Sequence, residues 1–170
     1  MGWPVLTTER LELRRPTPDD FEAFVAFCAS DRSKWVGGPA DRADAWEGFA
    51  LDLGHWEMRG YGYFFAFEGA RAIGRVGLRR TEDRPETELA YARFDARYEG
   101  RGLAHEAALA VRDHGWRDQK LPSLVSYIDP ENTRSIALAQ RLGAMLDPDA
   151  PKWAKHDSLS IYRHPKPEGV

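Results

Sequence analysis

The turn at residues 99–107 constrains the fold of this chain more than any other stretch. Its sequence is Glu-Gly-Arg-Gly-Leu-Ala-His-Glu-Ala, and it lies between an alternating, strand-like run from Glu88 to Phe94 and a helical pattern. Glycine permits a positive φ and lets a ligand approach the backbone closely. The N-terminus of a helix adds unpaired N–H groups and the positive end of the helix dipole. The turn therefore predicts a strand–loop–helix unit that holds a phosphate or pyrophosphate group.

Two common phosphate-binding motifs are excluded at this turn, and one simpler interpretation stays open. No Gly-Lys-Ser/Thr follows the glycines, so the turn is not a P-loop, and the three spaced glycines of the dinucleotide fingerprint are absent. A single glycine-rich turn can also be no more than the start of a helix.

The spacing within the turn resembles the acyl-CoA pyrophosphate loop of the GNAT N-acetyltransferase superfamily, Gln/Arg-x-x-Gly-x-Gly/Ala. Gly102 and Ala104 occupy the last two fixed positions, and Gly100 occupies a common additional one. The run Ala-His-Glu-Ala resembles the Ala-Thr-Glu-Ala of the ribosomal-protein (RimJ/RimL-like) branch, with His105 in place of Thr. Glu99 departs from the pattern, because Gln or Arg is usual there and an acid beside a pyrophosphate is unfavourable unless it points away.

A second block, residues 129–143, resembles the Asn-x-x-Ser/Ala … Leu-Gly helix of the same family. The resemblance implies that Asn132 contacts the pantetheine arm of the cofactor. Many members carry a tyrosine that protonates the leaving thiolate, and Ala139 stands at that position. The alternative is an ordinary amphipathic helix that Asn132 caps and that buries Ile136, Ala139 and Leu142.

Composition is that of a globular protein. The 170 residues are enough for one domain, expected to span 1–170, with 42% hydrophobic and 30% charged residues. A net charge of −3 disfavours nucleic acid as the main partner, and no apolar run suits a membrane span. The single cysteine, Cys28, lies in a helical apolar stripe and is interpreted as core. Cytoplasmic localisation follows as the default expectation, and a homodimer stays open.

The pattern of elements predicts the order β-α-α-β-β-β-α-β-α-β. The predicted strands are Leu11–Arg15, Tyr61–Phe67, Ala72–Arg79, Thr87–Phe94 and Leu124–Ile128, and a hairpin-like segment is predicted at Lys155–Arg163. The predicted helices are Thr17–Ser30, a second one that ends near Gly60 and contains Trp46, Phe49, Ala50, Leu53 and Trp56, a third from the glycine-rich turn to about Arg117, and a fourth that begins at Asn132. The tail from Pro165 is expected to fray.

This order matches the GNAT acyl-CoA N-acyltransferase fold, an α/β (α+β) fold with a mixed, mostly antiparallel central sheet flanked by helices. The resemblance implies that the strands ending at Phe94 and Ile128 splay apart and that the pantetheine lies between them. The cofactor-binding residues so implied are Phe94, Gly100, Arg101, Gly102, Leu103, Ala104, His105 and Asn132, with Arg101 and His105 as phosphate contacts and Phe94 near the thioester carbonyl.

The expected reaction is acetyl transfer to a primary amine by direct attack in a ternary complex. An amine is mostly protonated at neutral pH, so a carboxylate base is needed, and Glu88 lies at the offset from the loop where several GNAT branches place one. A solvated strand-end acid is the alternative for Glu88. Because Ala139 replaces the usual acid, Ser135, Tyr127 or solvent would protonate the thiolate. The scattered histidines form no metal-ligand pattern, and no metal is expected.

The acceptor stays open between a protein N-terminus and a small amine. Residues 31–60 are expected to select it, and aromatic residues concentrate around them, most of them interpreted as core: Trp35, Trp46, Trp56, Tyr61 and Tyr63. A catalytically silent acyl-CoA-binding or sensor module is the alternative function.

Overall fold

An eight-stranded mixed sheet organises residues 2–170, the part of the chain that the computed structural model describes. The strands are β1 (Val5–Thr7), β2 (Glu12–Arg14), β3 (Tyr63–Glu68), β4 (Arg71–Arg79), β5 (Glu88–Arg93), β6 (Val125–Ile128), β7 (Met145–Leu146) and β8 (Ser160–Arg163). Their spatial order is β1-β2-β3-β4-β5-β6-β8-β7, and the pair β5–β6 is parallel whereas the others are antiparallel. This confirms the predicted mixed, mostly antiparallel sheet.

Helices cover both faces of the sheet. They are α1 (Phe21–Ala29), α2 (Arg42–Arg59), α3 (Leu103–Arg117) and α4 (Thr133–Arg141), with short 3-10 helices at Pro18–Asp20, Asp31–Val36, Ala96–Tyr98 and Ala154–His156. An aromatic cluster joins α1 and α2 to one face, where Phe24, Phe49 and Phe65 pack together. On the other face, α3 buries Val111 and Trp116 against Leu78 and Leu89. Packed apolar side chains therefore cover both faces of the sheet, as expected for a sheet with helices on either side.

The α2 helix ends as predicted but presents a different face. Gly60 adopts φ +77 at its C-terminus, which confirms the predicted end of the helix. Trp46, however, is 62% exposed, because the buried face carries Asp52 and His55 between Phe49 and Trp56. The spacing of apolar residues did not predict this face, because Asp52 and His55 are buried through polar contacts with residues outside the helix.

Two strands escaped prediction, and the C-terminal segment differs from its expectation. β1 and β7 are three and two residues long, and their side chains are mostly exposed, so they carry no alternating signal. β8 does not form a hairpin within 155–163 but pairs with β6 and β7. The tail after Pro165 does not fray either, since Lys166 donates a hydrogen bond to the Leu121 carbonyl and Val170 packs on the core.

Cys28 is buried in the α1–α2 aromatic cluster, which confirms its predicted core position. Within residues 2–170, none of the helices combines the length and the apolarity needed to cross a membrane.

Candidate active site

A cleft of about 830 Å³ opens where β5 and β6 separate. The parallel register joins Glu88 to Val125, and beyond that pair the two strands diverge. The N-terminus of α3, the N-terminal half of α4 and the 3-10 helix at Asp31–Val36 complete the walls. This is the splayed-strand geometry that the sequence analysis expected.

The backbone groups that face the gap belong to Tyr91 and Arg93. The Phe94 N–H donates to the Ile73 carbonyl on β4, at 3.0 Å. Because partners alternate along an antiparallel pair, residues 88, 90 and 92 also point their backbone groups to β4, while 89, 91 and 93 point toward β6. Phe94 itself packs against Phe27 and Phe65 and does not line the cleft. The Phe94 N–H is therefore used within the sheet, and the backbone groups beside it that face the gap are those of Tyr91 and Arg93; the thioester contact itself stays a prediction.

The glycine-rich turn bends through two positive φ angles, +72 at Gly100 and +75 at Gly102. Gly102 is the N-cap of α3, and the first N–H groups of that helix have no partner within it. Among the turn residues, Gly100, Leu103 and Ala104 line the cleft. The predicted anion-binding backbone is thus positioned beside the cavity.

Three predicted loop contacts lie outside the cleft lining: Arg101, Gly102 and His105. The Arg101 guanidinium is turned away and forms an ion pair with Glu68, at 2.5 Å. A Cβ on Gly102 would meet the Arg10 side chain at 3.6 Å, not the cleft. These positions lie outside the lining of the cleft, and the phosphate contacts expected of Arg101, Gly102 and His105 stay predictions, as does the backbone contribution of the loop.

Glu99 is paired with arginines from both sides of the cleft mouth. Its Oε1 accepts from Arg32 at 2.8 Å and from Arg134 at 3.0 Å. The Arg32 hydrogen bond holds the pKa of this carboxyl below its usual range. The acid at position 99, where Gln or Arg is usual, thus has a structural explanation. The negative charge of Glu99 is balanced by Arg32 and Arg134.

Basic side chains outnumber acidic ones on the cleft lining, which also includes Asp31, Glu99, Asp129 and Glu131. We call the set Arg32, Lys34, Arg93, Arg134 and Arg141 the basic mouth. Burial, together with the charges of Arg134, Arg32 and Arg141, lowers the pKa of Arg93, although Glu99 opposes the shift. Such crowding of guanidinium groups is unfavourable until an anion joins them. No spacing in the sequence indicates the basic mouth, because its members come from three separate elements.

The α4 wall contains two predicted residues. Asn132 Oδ1 accepts the Ser135 N–H at 3.2 Å, so Asn132 caps the helix, and both residues also line the cleft. Tyr91 Oη donates to the Ser135 carbonyl at 2.8 Å and links β5 to α4. Ala139 is fully buried against Ile128 and lies outside the cleft lining.

Glu88 is buried behind the point where the strands divide. Its carboxylate accepts from Arg84 Nε at 3.0 Å and does not line the cleft. Burial raises the pKa of Glu88, although Arg84, Arg79 and Arg75 oppose the shift. Glu88 is therefore not the solvated strand-end acid that was its alternative interpretation, and its role as a general base stays a prediction.

Tyr127 lines the cleft from β6, and its buried hydroxyl has no hydrogen-bond partner among the described residues. A tyrosine hydroxyl is usually paired when buried. Burial raises the pKa of this phenol, although the Glu86 backbone opposes this shift.

Two hydrogen bonds that the sequence did not indicate connect β5, β6 and His164 at the point where β5 and β6 separate. Ser126 Oγ donates to the Leu89 carbonyl at 2.7 Å, and His164 Nε2 lies 2.9 Å from the same Oγ. Because the hydroxyl hydrogen is used, His164 must donate through Nε2–H. Burial lowers the pKa of His164 to about 4, consistent with this neutral form. The Ser126 hydrogen bond satisfies a β5 carbonyl that β6 can no longer reach.

Among residues 2–170, no group of three or more His, Cys, Asp or Glu is arranged to hold a metal ion. Of the aromatic residues around the second helix, Trp56, Tyr61 and Tyr63 are core, and Trp35 lines the cleft.

Comparisons with known proteins agree with this architecture. The profile described as the acetyltransferase (GNAT) domain matches residues 10–145. An acetyltransferase from Agrobacterium tumefaciens is 40% identical, with a TM-score of 0.89 over 96% of this chain and 95% of that one. The protein YkkB of Bacillus subtilis, described as uncharacterized, is 28% identical over 92% of this chain and 93% of its own. The ribosomal α-N-protein acetyltransferase RimL, in complex with coenzyme A, shares the fold at 17% identity and a TM-score of 0.76, covering 95% and 97%.

Proposed function

The chain belongs to the GNAT family of acetyltransferases, and from this premise we propose how its cleft performs acetyl transfer. The enzyme is an acetyl-CoA-dependent N-acetyltransferase, in which acetyl-CoA lies between β5 and β6 and a primary amine attacks the thioester directly. One observation carries the proposal: the strands divide beside the N-terminus of α3 and the basic mouth. Residues 1–170 act as one GNAT domain.

The phosphates of the cofactor occupy the mouth of the cleft. The N–H groups of Leu103 and Ala104 supply directional donors at the positive end of α3. Arg32, Arg93 and Arg134 supply charge, and a polyanion relieves the repulsion among them. The coenzyme A complex of RimL supports the choice of ligand.

The pantetheine arm runs along β5. The free backbone groups of Tyr91 and Arg93 pair with its amides as an added strand would. Asn132 contacts the arm from α4 while its Oδ1 caps the helix. An N–H of β5 then polarises the thioester carbonyl and stabilises the oxyanion.

Proton transfer uses the two buried groups at the dividing point. Glu88 is the proposed general base, acting through water, because burial raises its pKa and makes the carboxylate more basic. Tyr127 is the proposed thiolate donor, since its hydroxyl is unpartnered and its raised pKa keeps it protonated at neutral pH. Ser135 is the second candidate donor on the cleft wall.

Steady-state release of coenzyme A thiol with a panel of primary amines tests the proposal. We expect thiol release that depends on the amine and saturates with acetyl-CoA, together with an acetylated product by mass spectrometry. Reactions without amine give the background hydrolysis. Coenzyme A binding by calorimetry without thiol release for any amine would identify a binding module instead of an enzyme.

A further inference from the structure

Five charged side chains lie together on the α1–α2 face of the sheet: the buried Asp52, Arg75, Arg84 and Glu88 and the half-buried Arg79. Arg75 Nη1 lies 2.5 Å from Asp52 Oδ2, and Arg84 Nε lies 3.0 Å from Glu88. These are two compact ion pairs. Arg79 has no carboxylate partner among the described residues, and Asp52 and Glu88 are the carboxylates near it.

This cluster has one positive charge in excess. Its three guanidinium groups face two carboxylates. The Nε atoms of Arg75 and Arg79 are both buried and have no hydrogen-bond partner among residues 2–170. An unpaired buried charge is costly, and the cost falls when an anion enters with it. The cluster is therefore electrostatically incomplete.

Arg75 connects the cluster to the cleft. Arg75 is only 7% exposed, and it is one of the residues that line the cleft. The guanidinium is held by Asp52 and by the ring of Tyr63, 4.2 Å from its centre. The Arg79 guanidinium lies 5.8 Å from the centre of the same ring, so the positive charges of Arg75 and Arg79 are both adjacent to Tyr63. A group that reaches Arg75 must be compact.

We propose that the acetyl acceptor is a small primary amine that carries its own carboxylate or phosphate group, and that this anion pairs with Arg75 on the α1–α2 side of the cleft. The inference rests on the proposed transferase activity and narrows its acceptor. In a protein N-terminus, the carbon that carries the amine is followed by a neutral amide carbonyl. In the proposed acceptor it is followed by a negatively charged group, so the two acceptor classes differ in the charge of the group that would contact Arg75.

Matched amines test this proposal. Glycine, alanine, serine and phenylalanine are each compared with their carboxamide and with the amine that lacks the carboxyl group, and O-phosphoethanolamine is compared with ethanolamine. We expect kcat/KM to favour the anionic member of at least one series by about 10- to 100-fold, the range of hydrogen bonds to charged groups. The carboxylate and phosphate arms separate the two anions. Equal rates for charged and neutral members of every series would overturn the proposal.

A double variant removes the buried pair without leaving a lone charge. In Asp52→Asn with Arg75→Gln, we expect the ratio of kcat/KM for the anionic amine to kcat/KM for its neutral counterpart to fall to unity, while coenzyme A affinity is retained. The ratio is the readout because Arg75 also acts on Glu88, which is the proposed base for both amines. The matched control is Glu22→Gln with Arg42→Gln, which removes an exposed ion pair at the surface. If the first double variant does not fold, Arg79→Gln breaks no ion pair and must still reduce the preference. Preference retained in a folded double variant, or in Arg79→Gln where the double variant does not fold, overturns the proposal.

A binding measurement separates this inference from the proposed activity. N-acetylated amino acids and their amides are titrated into the coenzyme A complex, and the shift in Tm is recorded. If no amine yields thiol, the transferase proposal fails, yet a larger shift with the acids than with the amides still supports an anion site at Arg75. Equal shifts count against that site.

Discussion

At the scale of single residues, Glu99 is an acid at the position where an incoming phosphate would bind. Its carboxylate bridges Arg32 and Arg134 across the mouth of the cleft. These two ion pairs balance the negative charge of Glu99, which would otherwise repel a phosphate. They also engage two arginines that are proposed to bind the cofactor. If the phosphates bind as proposed, Glu99 competes with them for these two arginines.

Replacing Glu99 with Gln should lower the KM for acetyl-CoA several-fold, because Arg32 and Arg134 become available to the phosphates. The effect should decrease with added salt, since these groups are exposed to solvent. Initial rates at several salt concentrations measure it. Glu22→Gln is the matched control, because Glu22 also pairs with an arginine, Arg42, but lies away from the cleft. An unchanged or higher KM in Glu99→Gln would contradict this role.

Glu88 yields a prediction that depends on pH. Burial raises its pKa above the ordinary value of 4.5, so the proposed base gains its function as pH rises through that higher pKa. Glu88→Gln should lower kcat by about 10²–10⁴-fold near neutral pH, the usual contribution of a general base. The low-pH limb of kcat/KM that lies above 4.5 should vanish in the variant, whereas the limb due to the amine remains. A wild-type profile in Glu88→Gln would remove Glu88 from the mechanism.

At the scale of elements, the first turn of α3 distinguishes backbone recognition from side-chain recognition. Ala104 lines the cleft, and His105, one residue on, does not. Gly102 is a poor probe, because φ +75 strains any side chain irrespective of ligand. The adjacent positions 104 and 105 offer a cleaner comparison.

Ala104→Asp should raise the KM for acetyl-CoA at least 10-fold, because a negative charge would face the phosphates. His105→Asp should change it far less. Both variants place an acid in the first turn, where the helix dipole favours it, so neither should lower Tm appreciably. Calorimetric titration with coenzyme A and thermal denaturation check both points. Similar affinity losses in the two variants would show that the anion site is not confined to the cleft side of the turn.

Elements with strong local signals were predictable, and the site was predictable only in part. The Asn132 cap, the extent of α3 and the end of α2 at Gly60 follow from capping chemistry and period. The basic mouth, the Arg75–Asp52 pair and the Ser126–His164 contact join residues far apart in the chain, and no local pattern encodes such contacts. The pattern on α2 misassigned Trp46 for the same reason: the partner of Asp52 is on β4.

At the scale of the whole molecule, two buried histidines link stability to acidity. His55 Nδ1 lies 2.7 Å from the Tyr61 carbonyl, and its Nε2 accepts the Arg80 N–H, which fixes the neutral tautomer. Burial lowers the pKa of His55 and lowers that of His164 to about 4. Both side chains must be neutral in the folded protein.

The free energy of unfolding should decline as pH falls from the ordinary histidine value of 6.5 toward 4, where folded His164 finally titrates. The unfolded chain binds the proton first, so the stabilisation is complete above 6.5 and is lost below it. His164 alone accounts for as much as about 3 kcal/mol of this loss. Urea unfolding at pH 7 and pH 4.5 measures the decline. In His164→Gln, which can still donate to Ser126, the decline should be smaller; an equal decline would assign it to other groups.

The position of β8 between β6 and β7 has a consequence for the order in which the enzyme matures. Until residues 160–164 leave the ribosome, β6 has an open edge and Ser126 lacks the imidazole that holds it on β5. Open strand edges invite pairing with other chains. A nascent chain that stops short of Ser160 therefore carries the whole glycine-rich turn and still lacks the hydrogen bond that fixes the divided strands. We therefore expect a chain that stops before Ser160 to bind coenzyme A far more weakly than residues 1–170 do.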